Sequence, residues 1–265
     1  MQRRHMLALA GAAVCSTVMP GAHAQVADLS DAINKAGRQR MLSQRMGKAW
    51  LALLQGVETG TARQVLDKSI ALFDRQLVEL KAYAPNADLQ GTYEQLEPLW
   101  SQYKAVLVGS APAKASAPDL LKLDARVLAL AHQGTVQYEA ALGKPVGKLV
   151  NVAGRQRMLS QRMAKFYLAA TVPVEGASAQ AEIDKARAEF VAAMELLRTA
   201  PQATQRIRDE LQVADGQWMF FDMALHKLKE GAPAGRAQSD IFVASENLLT
   251  VMDRVTGLYS SLKTV

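Results

Sequence analysis

Four basic side chains recur in a fixed pattern at two places in this chain. The first stretch runs Asn34-Lys35-Ala36-Gly37-Arg38-Gln39-Arg40-Met41-Leu42-Ser43-Gln44-Arg45-Met46-Gly47-Lys48. The second runs Asn151-Val152-Ala153-Gly154-Arg155-Gln156-Arg157-Met158-Leu159-Ser160-Gln161-Arg162-Met163-Ala164-Lys165. From Ala36 to Met46 the copies are identical, at an offset of 117 (154 minus 37). Guanidinium groups are planar forks of donors that match planar oxyanions in bidentate fashion. The chemistry these residues could do is therefore anion capture. Other chemistries lack their residues: there is no nucleophile–base pair, no metal constellation and no glycine-rich phosphate loop, so the chain reads as a non-enzyme without cofactor or metal.

On a helical wheel, Ile33, Gly37, Arg40, Gln44, Gly47, Leu51 and Leu54 fall on one stripe. The stripe is apolar at its ends, small in its middle and centred on Arg40. Small residues let another helix approach closely, and an arginine there is desolvated at a cost of several kcal/mol unless it finds a partner. The second copy places Gly154, Arg157 and Gln161 on the same stripe. If the two motif helices pack about a pseudo-twofold axis, Arg40 faces Arg157, and an anion between them relieves the repulsion. Nitrate, nitrite or a small carboxylate suits so narrow a cleft. The competing reading makes Arg40 and Arg157 core arginines satisfied by buried glutamates or helix C-terminal carbonyls. Arg38 and Arg45 lie on another flank, for partial solvation or pairing with carboxylates. Met41, Met46, Met158 and Met163 read as core filler, Trp100 and Trp218 as bundle core, and Lys48 and Lys165 as solvated surface lysines.

Helical periodicity runs through the whole chain. It predicts helices near 28–56, 60–83, 87–108, 118–141, 146–171, 178–199, 202–230 and 238–263. Gly56 and Gly60, Ala84-Pro85-Asn86, a low-complexity linker over Gly109–Pro118, and Gly143-Lys144-Pro145 separate them. Asp28, Ser30 and Asp31 offer N-caps to the first. Further matches extend the repeat: Phe73, Leu77 and Leu80 pair with Phe190, Met194 and Leu197, and Ala84-Pro85 with Ala200-Pro201. Trp100 pairs with Trp218, and Ala111-Pro112-Ala113 with Ala232-Pro233-Ala234, with small indels between. The expected fold is all-α: eight helices in two repeat-related four-helix up-down units, spanning 25–142 and 143–265.

Residues 1–24 read as an export signal, with Arg3 and Arg4, an apolar run over Leu7–Met19, and Ala22-His23-Ala24 as a cleavage site. Cleavage would remove Cys15, leaving no cysteine and so no disulfide or thiolate metal site. It would also leave only His132 and His226 as histidines, each standing alone. Removing Arg3 and Arg4 takes 31 basic residues to 29 against 25 acidic ones, so the net charge falls from +6 to +4. That mildly basic balance suits a small anion or an acidic partner, and export argues against nucleic acid. No later apolar run is long enough to span a bilayer. The expectation is a soluble periplasmic protein without stable membrane insertion.

The run Ile33-Asn34-Lys35-Ala36-Gly37-x-x-Arg40-Met41-x-Ser43-x-Arg45 resembles the periplasmic motif of the nitrate/nitrite sensor kinases NarX and NarQ. The fuller form is similar to the N-terminal sensory domain of PilJ-type chemotaxis transducers. The resemblance implies a motif on the first helix of a four-helix bundle, with two such helices meeting and their arginines holding one nitrate. Carried over, it assigns ligand binding to Arg40 and Arg157, the motif glycines to Gly37 and Gly154, and supporting basic positions to Lys35, Arg45 and, in the second copy, Arg162. Val152 replaces the lysine in that copy, and Arg38 and Arg155 follow the PilJ form rather than the nitrate-sensor pattern. No membrane span, kinase or methyl-accepting segment follows the second unit, so a sensor of this kind would report through a partner such as a membrane sensor or chemoreceptor. The alternative is a helical interaction module of a pilus, chemoreceptor or nitrate-respiration system, with no small ligand.

Overall fold

A computed structural model describes residues 25–172, 176–227 and 234–262. The expected export signal, residues 1–24, lies outside them. The described residues form eight α-helices: α1 Leu29–Leu54, α2 Thr59–Tyr83, α3 Ala87–Val108, α4 Ala117–Leu142, α5 Pro145–Ala170, α6 Gly176–Thr199, α7 Gln205–His226 and α8 Ala234–Ser260. The fold is all-α. A single 3-10 turn, Lys114–Ser116, punctuates the low-complexity linker.

The boundaries follow local chemistry. Asp28 is extended and its carboxylate accepts from the Asp31 backbone N–H at 2.8 Å, capping α1. Asn86 caps α3 in the same way through Leu89, at 3.0 Å. Gly143 takes the left-handed conformation that ends α4 (φ +63°), and Pro145, which has no N–H to lose, opens α5. Two helix starts differ from the periodicity reading by three residues or more. α7 begins at Gln205 rather than 202, because Thr204 is its cap and accepts from the Ile207 N–H at 3.3 Å. α8 begins at Ala234, four residues before 238. α7 ends at His226 and α8 at Ser260, short of the expected 230 and 263; residues 228–230, the matched Ala232-Pro233 and residue 263 lie outside those described.

α1 and α5 are the centre of the molecule. They pack on each other along their length, α4 lies against α1, α8 against α5, α2 against α1, α6 against α5, α3 against α4 and α7 against α8. Contacts fix the directions. Ile33 meets Gly147, Gly37 meets Gly154 and Gly47 meets Lys165, so α1 and α5 run parallel. Arg45 reaches Ser69 while Lys35 reaches Glu79, so α2 runs antiparallel to α1.

Matched positions make matched contacts. Phe73 stacks on Trp100 at 4.2 Å between ring centres, and Phe190 on Trp218 at 4.4 Å. The Tyr138 hydroxyl donates to the Leu80 carbonyl at 2.7 Å, and the Tyr259 hydroxyl to the Leu197 carbonyl at 2.8 Å. Met41, Met46, Met158 and Met163 are buried among the aliphatic core, as is Trp100, while Trp218 is half-buried. Among the described residues no helix is long and apolar enough to cross a membrane.

Candidate functional site: two buried arginines at a glycine crossing

The central stripe of α1 meets that of α5 where both backbones lack a side chain. A methyl group placed on Gly37 would lie 3.2 Å from Arg40 Nη2, 3.6 Å from Arg157 Nη2 and 3.9 Å from the Gly154 Cα. One placed on Gly154 would lie 3.2 Å from Arg157 Nη2 and 3.7 Å from Arg40 Nη2. Both guanidinium groups therefore occupy the space that the two glycines leave, and both are shut off from solvent. Each crosses to the other helix: Arg40 Nη2 donates to the Asn151 carbonyl at 3.2 Å and Arg157 Nη2 to the Asn34 carbonyl at 3.0 Å. Ser43 and Ser160 donate back to the Arg40 and Arg157 carbonyls, each at 2.9 Å.

The two arginines differ in their counter-charge. Arg157 makes an ion pair with Asp253 of α8, which also takes Arg38 at 2.9 Å. Arg40 donates Nη1 to His132 Nδ1 at 3.1 Å, so its side-chain partner carries no negative charge. The Nε atoms of both arginines are buried without a hydrogen-bond partner among the described residues. Burial, then the nearby Arg155 and Arg157, lower the Arg40 pKa to about 9. Burial also lowers Arg157, to about 10, against the opposing pull of Asp253. His132 is pushed down to about 4 by burial and by Arg40, so it is a neutral acceptor at pH 7. The mixture satisfies part of the competing structural reading: carbonyls and one carboxylate do partner these arginines. The carbonyls come from the second turn of the opposite motif helix, not from helix C-termini.

Below the crossing, the stripe continues as a polar seam. Gln44 donates to Asp124 at 2.8 Å and Gln161 to the Ser245 carbonyl at 2.9 Å. Lys48 and Lys165 are not solvated surface lysines. Lys48 is fully buried and donates to Ser245 at 2.8 Å and Glu246 at 2.6 Å; Lys165 is 2% exposed and pairs with the fully buried Asp124. The reason is register: Arg40, Gln44 and Lys48 stand four residues apart, so the lysine extends the buried stripe. The ties also cross over. Lys48 of the first half holds α8 of the second, and Lys165 of the second holds α4 of the first. Burial lowers Lys48 to about 8 and lowers Lys165 too, against the raising effect of their carboxylates.

The remaining candidate residues lie apart from the crossing. Lys35 pairs with Glu79 at 2.9 Å and Asp31 at 3.1 Å. Arg45 pairs with Glu246 of α8, at 3.1 and 3.2 Å from Nε. Arg162 pairs with Glu182 of α6 at 2.6 Å and lies over the Phe166 ring at 5.1 Å. Arg40, Arg157, Gly37 and Gly154 are brought together; Lys35, Arg45 and Arg162 face three different helices. The partners His132, Asp124, Asp253 and Glu246 carried no motif signal, since each is distant in sequence from the arginine or lysine it meets. Among the described residues no cluster of three or more His, Cys, Asp or Glu side chains could hold a metal ion.

No curated protein and no solved structure matches the chain. A family of signalling domains does, over residues 23–126 and 143–221, which include both motif helices and most of the chain. With its paired motif helices at the centre, the chain belongs to the PilJ family, described as the N-terminal domain of type IV pili methyl-accepting chemotaxis transducers.

Proposed function

We propose that this sensory helical module is exported to the periplasm and holds a small planar anion, nitrate or nitrite foremost, between Arg40 and Arg157. On this reading residues 25–142 and 143–265 are tandem four-helix units, and one chain supplies both motif helices of a site. The observation that carries the proposal is charge imbalance. Two desolvated guanidinium groups meet at one glycine crossing, and Asp253 is the only carboxylate either of them touches among the described residues. An uncompensated buried charge is costly, and an anion bound at the crossing offsets that cost. The unpartnered Nε atoms of both arginines supply further donors. A partner protein then reads the change in how α1 and α5 pack.

A second reading, a helical interaction module with no small ligand, draws support from α7, where Phe220 and Met223 are 65% and 61% exposed.

Thermal melting with millimolar nitrate, nitrite, sulfate and acetate separates the two. A ligand at one hundred times its Kd stabilises by about 2.7 kcal/mol. The expected result is a rise in melting temperature with nitrate or nitrite that vanishes in the Arg40→Ala/Arg157→Ala double variant while helicity is kept. An equal rise in that double variant would sink the anion site, and no rise with any of the four would move the assignment to the interaction module.

A further inference from the structure

The two halves are unlike at one matched position beside the arginines. Asp253 corresponds to His132 at an offset of 121, the offset that also relates Tyr138 to Tyr259 and Ala111-Pro112-Ala113 to Ala232-Pro233-Ala234. On the Asp253 side the buried cation has its counter-charge. On the His132 side it does not, and there the structure opens a cavity of about 290 Å³ between α4, α5 and α6. Arg40 and His132 form part of its wall, and Arg155, Arg162 and Lys185 bring its basic residues to four against two acidic ones, Glu182 and Glu189. Arg155 is engaged by Glu189, at 3.0 Å from Nη2, and Arg162 by Glu182 at 2.6 Å. Each of those pairs is neutral within itself, and Lys185 is exposed to solvent. Arg40 is left as the fully buried cation of the cavity wall, with an unpartnered Nε and a neutral histidine beside it.

The rest of the wall is apolar, with Leu128, Ala129, Met158 and Leu159 among its residues. A volume near 300 Å³ is the lower end of the range for small-molecule sites, which pair mostly apolar linings with a few placed polar groups. It is much larger than a nitrate ion needs. We propose that this one-sided cavity binds an organic monocarboxylate, its carboxylate group at the Arg40–His132–Arg155 end and its hydrocarbon part against Leu128, Met158 and Leu159. Because His132 Nδ1 accepts from Arg40, the neutral ring carries its proton on Nε2, which is a donor for such a ligand. The site shares Arg40 with the nitrate site and uses nothing of Arg157, so the two are separable.

The test is thermal melting of the purified protein with acetate, butyrate, benzoate and nitrate, alongside Ala129→Trp, which fills the cavity, and Arg155→Gln, which removes a donor without adding bulk. Circular dichroism checks that each variant keeps its helicity. The expected order of stabilisation is benzoate, then butyrate, then acetate, with a rise of roughly 5 °C or more for benzoate at a hundredfold excess over its Kd. Ala129→Trp should abolish the benzoate rise and leave the nitrate rise in place. Arg155→Gln should weaken benzoate at least tenfold. A flat response to butyrate and benzoate with the nitrate rise intact overturns the cavity inference alone. A benzoate rise with no nitrate response supports the cavity and overturns the nitrate reading. A benzoate rise that survives both substitutions places the acid elsewhere and overturns the cavity inference.

Discussion

Replacing Asp124 with alanine should lower the unfolding free energy by about 3–5 kcal/mol, the usual cost of stranding one member of a buried ion pair. Asp124 is fully buried and takes donors from two helices, Lys165 of α5 and Gln44 of α1 at 2.8 Å, while the Tyr103 hydroxyl of α3, 3.4 Å away, lies nearer the Ser43 carbonyl at 3.1 Å. Its removal leaves the Lys165 ammonium in the core with no carboxylate, and takes from the Gln44 amide one of its two acceptors. The double variant Asp124→Leu/Lys165→Met should recover most of the loss, because exchanging a whole buried pair for apolar groups of similar size is often close to neutral. Urea unfolding of both variants decides the matter. A loss below about 1 kcal/mol for Asp124→Ala would show that water reaches Lys165 and that the seam is less dry than its burial implies.

Acid should unfold the protein chiefly through Glu246. Burial pushes this carboxyl up, but Lys48 and Arg45 outweigh burial and bring it from 4.5 to about 2. The folded protein keeps Glu246 charged down to about pH 2, whereas the unfolded chain protonates it from about pH 4.5 downward. Between those values the unfolded chain binds more protons, so stability falls as pH falls, by about 3 kcal/mol for this group once the window is crossed. Lys48 moves the other way, down to about 8, because burial outweighs Glu246 there, whereas two cations facing the one carboxylate outweigh burial at Glu246. Asp253, pushed up by burial but drawn more strongly down to about 2 by Arg157 and Arg38, acts in the same direction. Urea midpoints at pH 5, 3.5 and 2.5 should show the decline, and Glu246→Gln should be weaker at pH 5 and flatter across the window. A wild-type midpoint that does not move between pH 5 and 2.5 would contradict the pairing.

Much of this architecture is legible in the sequence because helices announce themselves locally. Asp28 and Asn86 as caps, Gly143-Lys144-Pro145 as a joint, and the 3.6-residue spacing around Arg40 are all short-range signals. The meeting of Gly37 with Gly154 could be inferred because the motif is repeated and its glycines demand a close neighbour. What could not be read is which acid pairs with which base. Lys48 looks like any surface lysine until α8 is laid over it with Ser245 and Glu246, 197 and 198 residues away. Its place four residues beyond Gln44 was the available clue, overridden by the general preference of lysine for water. His132 gave no signal at all, since a lone histidine on a helix acquires meaning only when Arg40, 92 residues earlier, is found against it.

The α4–α5 joint is only two residues long, Gly143 and Lys144. If the two motif helices belonged to separate chains, their meeting would be a bimolecular event and would fail on dilution. Here the joint turns it into an intramolecular one, with an effective concentration set by geometry rather than by how much protein is present. Sparse molecules keep both arginines paired across the crossing, and the crossing itself adds no dependence of the melting temperature on protein concentration. The crossing can also differ on its two flanks, Asp253 on one and His132 on the other, because a single chain is free to diverge where two identical subunits would have to change together.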